Sequence, residues 1–245
     1  MSTTVRAIVD AGTCCYTANR ETRDYFRGTS AHSTVMVDGK PQVEPAGPFA
    51  WREHCGARLN RWLSNDSLSY ADAEHDAYRS LPNPVTHRRR VAFIDSRYWV
   101  IVDDLDGAHI HRVEVRFQFD RIPVRATDRS WVTASPDGRE GLLVRAFGSA
   151  SLQTEIRAGQ REPLEGWVSP DYGCMEPAPA LIYSAATYLP LRVLTLLWPA
   201  ENVDKTPAVD VMYDVHRRPF GITLRDRGET VMFTDDEPVI HHLQS

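Results

Sequence analysis

Nine consecutive residues constrain this chain more than any other stretch. From Arg112 to Asp120 the apolar residues Val113, Val115, Phe117 and Phe119 alternate with Glu114, Arg116 and Gln118. A period of two puts each set on its own face of an extended strand, whereas a helix would scatter both around its axis. The stretch predicts a half-buried antiparallel strand.

The same logic recurs along the chain. Val91–Ile94 and Tyr98–Val102 flank Asp95-Ser96-Arg97 and predict a hairpin. Thr34–Val37 runs into Asp38-Gly39, a tight-turn dipeptide. Leu142–Phe147, Leu152–Ile156, Phe220–Leu224 and Thr230–Phe233 add further short strands separated by Gly, Pro and Asp. Sixteen prolines and 14 glycines leave room for one or two short helices, the first expected within Thr17–Phe26. The expected fold is all-β, an antiparallel β-sandwich of two stacked sheets, forming a single domain over residues 1–245. Ser64–Asp76 and Gly166–Pro179 are read as surface loops.

Composition removes several function classes. Hydrophobic residues at 42% and charged residues at 25% are globular usage. A net charge of -5 gives no summed positive field for nucleic acid. The longest apolar runs, such as Leu194–Trp198, are far too short to span a bilayer as a helix. Cys14, Cys15, Cys55 and Cys174 make neither a disulfide framework nor a metal-ligand spacing, and are expected as buried or half-buried thiols. The chain opens straight into an apolar strand, Val5–Asp10, without the features of a signal peptide; this predicts that something upstream is missing.

Several residues invite chemistry. Asp10 and His32, brought together across strands, offer two zinc ligands; a structural zinc takes four and a catalytic zinc three. The plainer alternative is a His–Asp hydrogen bond ordering a sheet edge. Glu74, His75, Asp76 and Tyr78 cluster an acid, an imidazole and a phenol, fit for acid/base work or sugar hydroxyls, or simply a loop satisfying its own turn. Arg88, within His87-Arg88-Arg89-Arg90, offers a planar fork for a carboxylate or sulfate, or marks a solvated strand entrance. His109 and His111 read as a solvated turn, and His241-His242 as a frayed end. Trp51, Trp62 and Trp167 read as core, with sugar stacking the alternative.

The order of segments resembles the C-terminal β-sandwich region of the heparinase II/III-like polysaccharide lyases. Ile8-Val9-Asp10-Ala11-Gly12-Thr13 is similar to a family strand ending in Asp-Pro-Gly-Thr. Arg27-Gly28-Thr29-Ser30-Ala31-His32-Ser33-Thr34-Val35, with Val37-Asp38-Gly39 and Gln42, is similar to its Arg-Ser-Thr-Ala-Ala-His-Asn-Thr-Val segment. The Ala73–Tyr78 cluster, Val85–Arg90, Tyr98–Asp103 and Gly166–Gly173 follow the same order. Ala11 stands in place of Pro, and Ser33 in place of Asn.

The resemblance implies β-elimination at a uronic acid of an anionic polysaccharide, in a full-length protein whose N-terminal helical toroid carries the catalytic Tyr and one His. It implies a structural zinc held by Asp10, His32 and a third ligand from a His-x-His run upstream of residue 1. No catalytic residue carries over to this chain. Substrate contact is expected from Glu74, His75, Tyr78 and Arg88. The partners expected are the anionic polysaccharide and the toroid, with no nucleic acid and no membrane. The family often works outside the cytoplasm, yet this chain shows no export signal. Three readings stand at this point: part of a lyase that is inactive alone, a non-catalytic glycan-binding or scaffold sandwich, and a remnant without function.

Overall fold

The computed structural model describes residues 6–52, 54–127, 130–235 and 237–242. Val5 of the expected first strand, Val5–Asp10, lies outside the described residues.

The central sheet has eight strands, in the order Ala57–Ser64, Leu68–His75, Val85–Ile94, Tyr98–Gly107, Leu191–Ala200, Gly141–Gly148, Val132–Ala134 and Val124–Ala126. A second sheet orders Val35–Val37, Ile110–Gln118, Ala180–Tyr188 and Gln153–Arg157. Every named strand pairing is antiparallel. The structure is thus the expected all-β sandwich. Val113, Val115 and Phe117 face the core between the two sheets, as their alternation requires.

One expectation is refined. A third sheet, Val209–Tyr213, Pro219–Leu224, Glu229–Phe233 and Pro238–His242, covers the other face of the central sheet, so the molecule has three layers. The central strands show why. From Leu191 on, Val193 and Leu197 point into the first core while Leu194 and Leu196 point into the second. A strand buried on both faces reads as a near-continuous apolar run, as Val100–Val102 does and as Leu194–Leu197 does around the buried Thr195.

The turns follow their dipeptides. Asp38 and Gly39 have φ of 52° and 66°, and Asp95 and Ser96 have 48° and 55°, the paired left-handed geometry of tight hairpins. The helix is Arg20–Arg27; the Asn19 side chain caps it by accepting from the Thr22 N–H at 3.0 Å. Residues 64–76 are not a loop: Leu68–His75 is a strand paired on both sides. His241 and His242 are not frayed either, since they pair with Thr230 and Glu229. His111 is buried, 2.7 Å from Asp38 Oδ2, rather than solvated. Trp167 is core at 5% exposure, but Trp51 and Trp62 are exposed at 41% and 64%. Cys55 is exposed, unlike Cys14 and Cys15. No helix among the described residues is long and apolar enough to cross a membrane.

Candidate functional site

A small third core sets the position of His32. Tyr25 and Phe26 from the helix pack with Ala11, Cys14, Ala31 and Trp167. The Tyr25 hydroxyl accepts from the Trp167 backbone N–H at 3.1 Å. The chain leaves the helix through a single 3-10 turn, Thr29–Ala31, and delivers His32 at the start of the second sheet. Residues 7–9 run antiparallel beside residues 118–120, with Val9 N–H on the Gln118 carbonyl at 3.0 Å, and carry Asp10 to the same place.

The segment after His32 is pinned from below. Arg89 donates to the Ser33 carbonyl at 2.6 Å, and the Gln118 N–H donates to Ser33 Oγ at 3.0 Å. Arg89 is itself held bidentately by Asp103 at 2.6 and 3.0 Å. Asp103 is fully buried, and Arg89 and His87 hold its carboxyl down, at about 2, against the upward push of burial.

His32 and Asp10 therefore meet as expected. His32 Nδ1–H donates to the Gly28 carbonyl at 2.8 Å. In the neutral ring that leaves a bare Nε2 lone pair, which faces Asp10 Oδ2 at 3.5 Å. The other carboxylate oxygen accepts from the Gly12 N–H at 2.9 Å. Two acceptors facing each other call for a proton or a cation between them. A backbone carbonyl on the far ring nitrogen is also the usual support of a metal-ligating histidine. Asp10 and His32 are two donors; three ligand atoms within 4.8 Å of one another occur instead at Asp95, Glu229 and His242, on another face. There the Tyr98 hydroxyl also donates to Glu229.

Beside His32 opens a cavity of about 400 Å³, whose walls include Arg27, Thr29, Gln42, Trp51 and His54. Among the described residues no carboxylate lines it. Arg27 lies 4.2 Å over the Trp51 ring and donates to the carbonyls of Gly47 and Pro48 at 2.6 and 2.8 Å.

The four residues expected to touch substrate split by strand parity. His75 stands directly opposite His87 and faces the same side as Arg89 and Asp103. Its Nε2 lies 3.0 Å from His87 Nδ1, and His87 Nε2 lies 2.7 Å from Asp103 Oδ1. Burial and the neighbouring His87 push His75 down to about 4. Tyr78 is buried on the same side and donates to the Val35 carbonyl at 3.0 Å; burial raises its hydroxyl above the usual tyrosine range. Glu74 and Arg88 point to the opposite face. Arg88 is held by Asp72 at 2.9 Å through Nε, and Glu74 accepts from Arg58 at 2.9 Å. The structure thus brings His75 and Tyr78 behind the cavity wall and keeps Glu74 and Arg88 away from it.

Sequence reasoning missed the His87–Asp103–Arg89 cluster. The signal was present: once the Asp95-Ser96 turn is placed, hairpin register sets Arg89 opposite Asp103.

The fold and this cavity define an antiparallel sandwich with a recess built on a helix–turn–strand entry. The family model described as heparinase II/III-like, C-terminal, matches residues 1–212, and the chain belongs to that family. Over 170 residues it is 25% identical to a heparin-sulfate lyase of Bacteroides stercoris, covering 66% of this chain and 22% of the relative. Over 181 residues it is 24% identical to the heparin-sulfate lyase of Pedobacter heparinus, covering 71% and 24%. The solved heparan sulfate lyase HepC from Pedobacter heparinus superposes with a TM-score of 0.70 at 17% identity, over 97% of this chain and 35% of that one. A solved heparinase III gives 0.70 at 16% identity, over 96% and 33%. The chain therefore spans about a quarter of the length of the curated relatives and a third of the solved chains.

Proposed function

We propose that this chain is the sandwich portion of a lyase that cleaves an anionic, uronate-containing polysaccharide by β-elimination, and that it is inactive alone. Membership of the heparinase II/III-like family carries this reading. In that reaction a base removes the proton at C5 of the uronate, a C4–C5 double bond forms, and the bond to the glycosidic oxygen breaks. An acid protonates the departing oxygen, and the uronate carboxylate must be neutralised throughout. The acid and base are assigned to a helical toroid outside this chain. These residues supply the opposing wall, with the His32 recess facing the substrate. The 245 residues are taken as one unit, since the three sheets share two continuous cores.

Asp10 and His32 are proposed as zinc ligands. The donor set fits: a neutral imidazole fixed in the Nε2-ligand tautomer faces a carboxylate oxygen. When bound, the ion would hold the residues 8–12 segment against the His32 turn. His75 and Tyr78 are assigned a supporting role behind the recess. Contact by Glu74 or Arg88 would require the polysaccharide to cross the opposite face. The test of the reaction is ultraviolet absorbance on incubation with heparan sulfate: no unsaturated product is expected from this chain alone, and product is expected once the toroid is joined to it.

One observation favours a second reading, a glycan-binding sandwich without catalysis. Tyr16 lies 5.7 Å from Phe49 and 5.6 Å from Tyr172, ring to ring, and all three are exposed. Exposed rings of this kind stack against sugars. Binding by the toroid-joined protein without product would favour it.

A further inference from the structure

Glu229 departs from the apolar pattern of its own strand. Glu229, Val231 and Phe233 share the face of the third sheet that packs on the central sheet, and the two apolar residues belong to the second core. Glu229 is only 2% exposed. A carboxylate taken this far out of water needs a compensating charge. The other buried acids among the described residues have one. Asp72, Asp103, Asp104, Glu114 and Glu165 each form an ion pair with at least one arginine. Glu229 pairs with no arginine or lysine among the described residues. Its Oε1 accepts from the Tyr98 hydroxyl, a neutral donor that a glutamine oxygen would serve equally well. Its Oε2 accepts no hydrogen bond among the described residues and faces His242 Nδ1 at 3.5 Å.

Two sheets converge on this carboxylate. His242 stands directly opposite Glu229 in the strand pair, so both side chains leave the same face of the third sheet. Asp95 arrives from the central sheet, in the tight turn between Val85–Ile94 and Tyr98–Gly107. It is half-buried, and it too has no arginine or lysine partner among the described residues. One ligand atom from each of the three residues lies within 4.8 Å of the other two. Carboxylates this close repel each other unless a cation sits between them. A proton on His242 would match one of the two negative charges; a divalent ion matches both.

We propose that Asp95, Glu229 and His242 bind a divalent cation of the manganese type, which fastens the C-terminal strand of the third sheet to the Asp95-Ser96 turn of the central sheet. Two carboxylates to one imidazole make an oxygen-rich donor set, which suits manganese. The His242 side chain is 62% exposed, so water can reach the remaining coordination positions. Tyr98, fully buried, orients Glu229 from behind and is a positioning residue. The site shares no residue with the Asp10–His32 pair. Glu229 and His242 lie beyond residues 1–212, which the family model matches, and the inference does not rest on the lyase reading.

Manganese serves as its own probe, because it is paramagnetic. Titrating the full 15N-labelled chain with manganese chloride should broaden most strongly the backbone amide signals of Asp95, Glu229 and His242, and the electron paramagnetic resonance of the free ion gives the affinity. Asp95→Asn keeps a residue that tolerates the left-handed backbone of the turn, where φ is 48°. Glu229→Gln keeps the acceptor for Tyr98. Each variant should weaken binding at these amides about tenfold or more, since each removes one charged ligand. Manganese should also raise the Tm of the unaltered chain more than that of either variant. His32→Ala should leave the broadening in place. No broadening at these amides in the unaltered chain at about 1 mM manganese, the weak end of oxygen-rich divalent sites, overturns the inference. Unchanged affinity in both variants overturns it as well. Broadening that disappears in His32→Ala places the ion at His32 and overturns it too.

Discussion

His32 turns its Nε2 toward Asp10 Oδ2 at 3.5 Å while its Nδ1–H is tied to the Gly28 carbonyl. A ring held this way is ready for a cation. Zinc at about ten times its Kd should stabilise the chain by about 1.4 kcal/mol, or about 3–6 °C in Tm. His32→Ala should abolish that shift. A thermal-denaturation series with and without zinc measures it, and an equal shift in His32→Ala would remove His32 from the ligand set.

Gly12 couples backbone shape to the same pair. Its φ is +80°, and a Cβ there would sit 2.4 Å from the Ser169 carbonyl oxygen. Gly12→Ala should cost roughly 1–3 kcal/mol in denaturant unfolding through strain at that φ. It should also blunt the zinc response, because the Gly12 N–H orients Asp10.

Asp103 anchors the wall. It is fully buried and bonds His87 and both nitrogens of one Arg89 fork. Asp103→Ala should destabilise by about 3–5 kcal/mol, since it removes a fully buried carboxylate that holds His87 and leaves the partly buried Arg89 guanidinium without its partner. A loss under 1 kcal/mol by urea unfolding would contradict this role.

His75 makes stability depend on pH in a defined window. Its folded value near 4 lies below the ordinary value of 6.5. As pH falls from about 6.5 toward 4, the unfolded chain gains a proton that the folded chain refuses, so stability declines. The loss should be on the order of 1–3 kcal/mol, reduced by the ring's partial access to solvent. His75→Gln should flatten this limb when unfolding is followed between pH 7 and 4.5. The lowered carboxyl of Asp103 acts below that window, between its ordinary 3.8 and about 2.

Much of the architecture was legible in the residues. The Val113–Phe119 alternation and the Asp38-Gly39 and Asp95-Ser96 turns predicted strands and hairpins that the fold contains. Leu68–His75 was missed because Ser69, Asp72 and Glu74 read as loop. In the fold Asp72 is neutralised by Arg88 on the next strand, which a single segment does not display. The third sheet was missed because its strands were visible but not the face they cover. Asp10 and His32 were singled out from their places at strand ends as a His–Asp pair or two zinc ligands, and the family-like motif then favoured the metal reading. Grouping Glu74 and Arg88 with His75 and Tyr78 overlooked parity, since neighbouring strand residues face opposite ways.

We propose that this chain forms the substrate wall of a lyase whose reactive acid and base lie elsewhere. Incubating the purified chain with heparan sulfate and following ultraviolet absorbance, alongside an NMR titration of the same sample, tests it most directly. Sugar-dependent shifts are expected at His32 and the other residues lining its recess, with no absorbance rise. A rise in absorbance from the chain alone would contradict it.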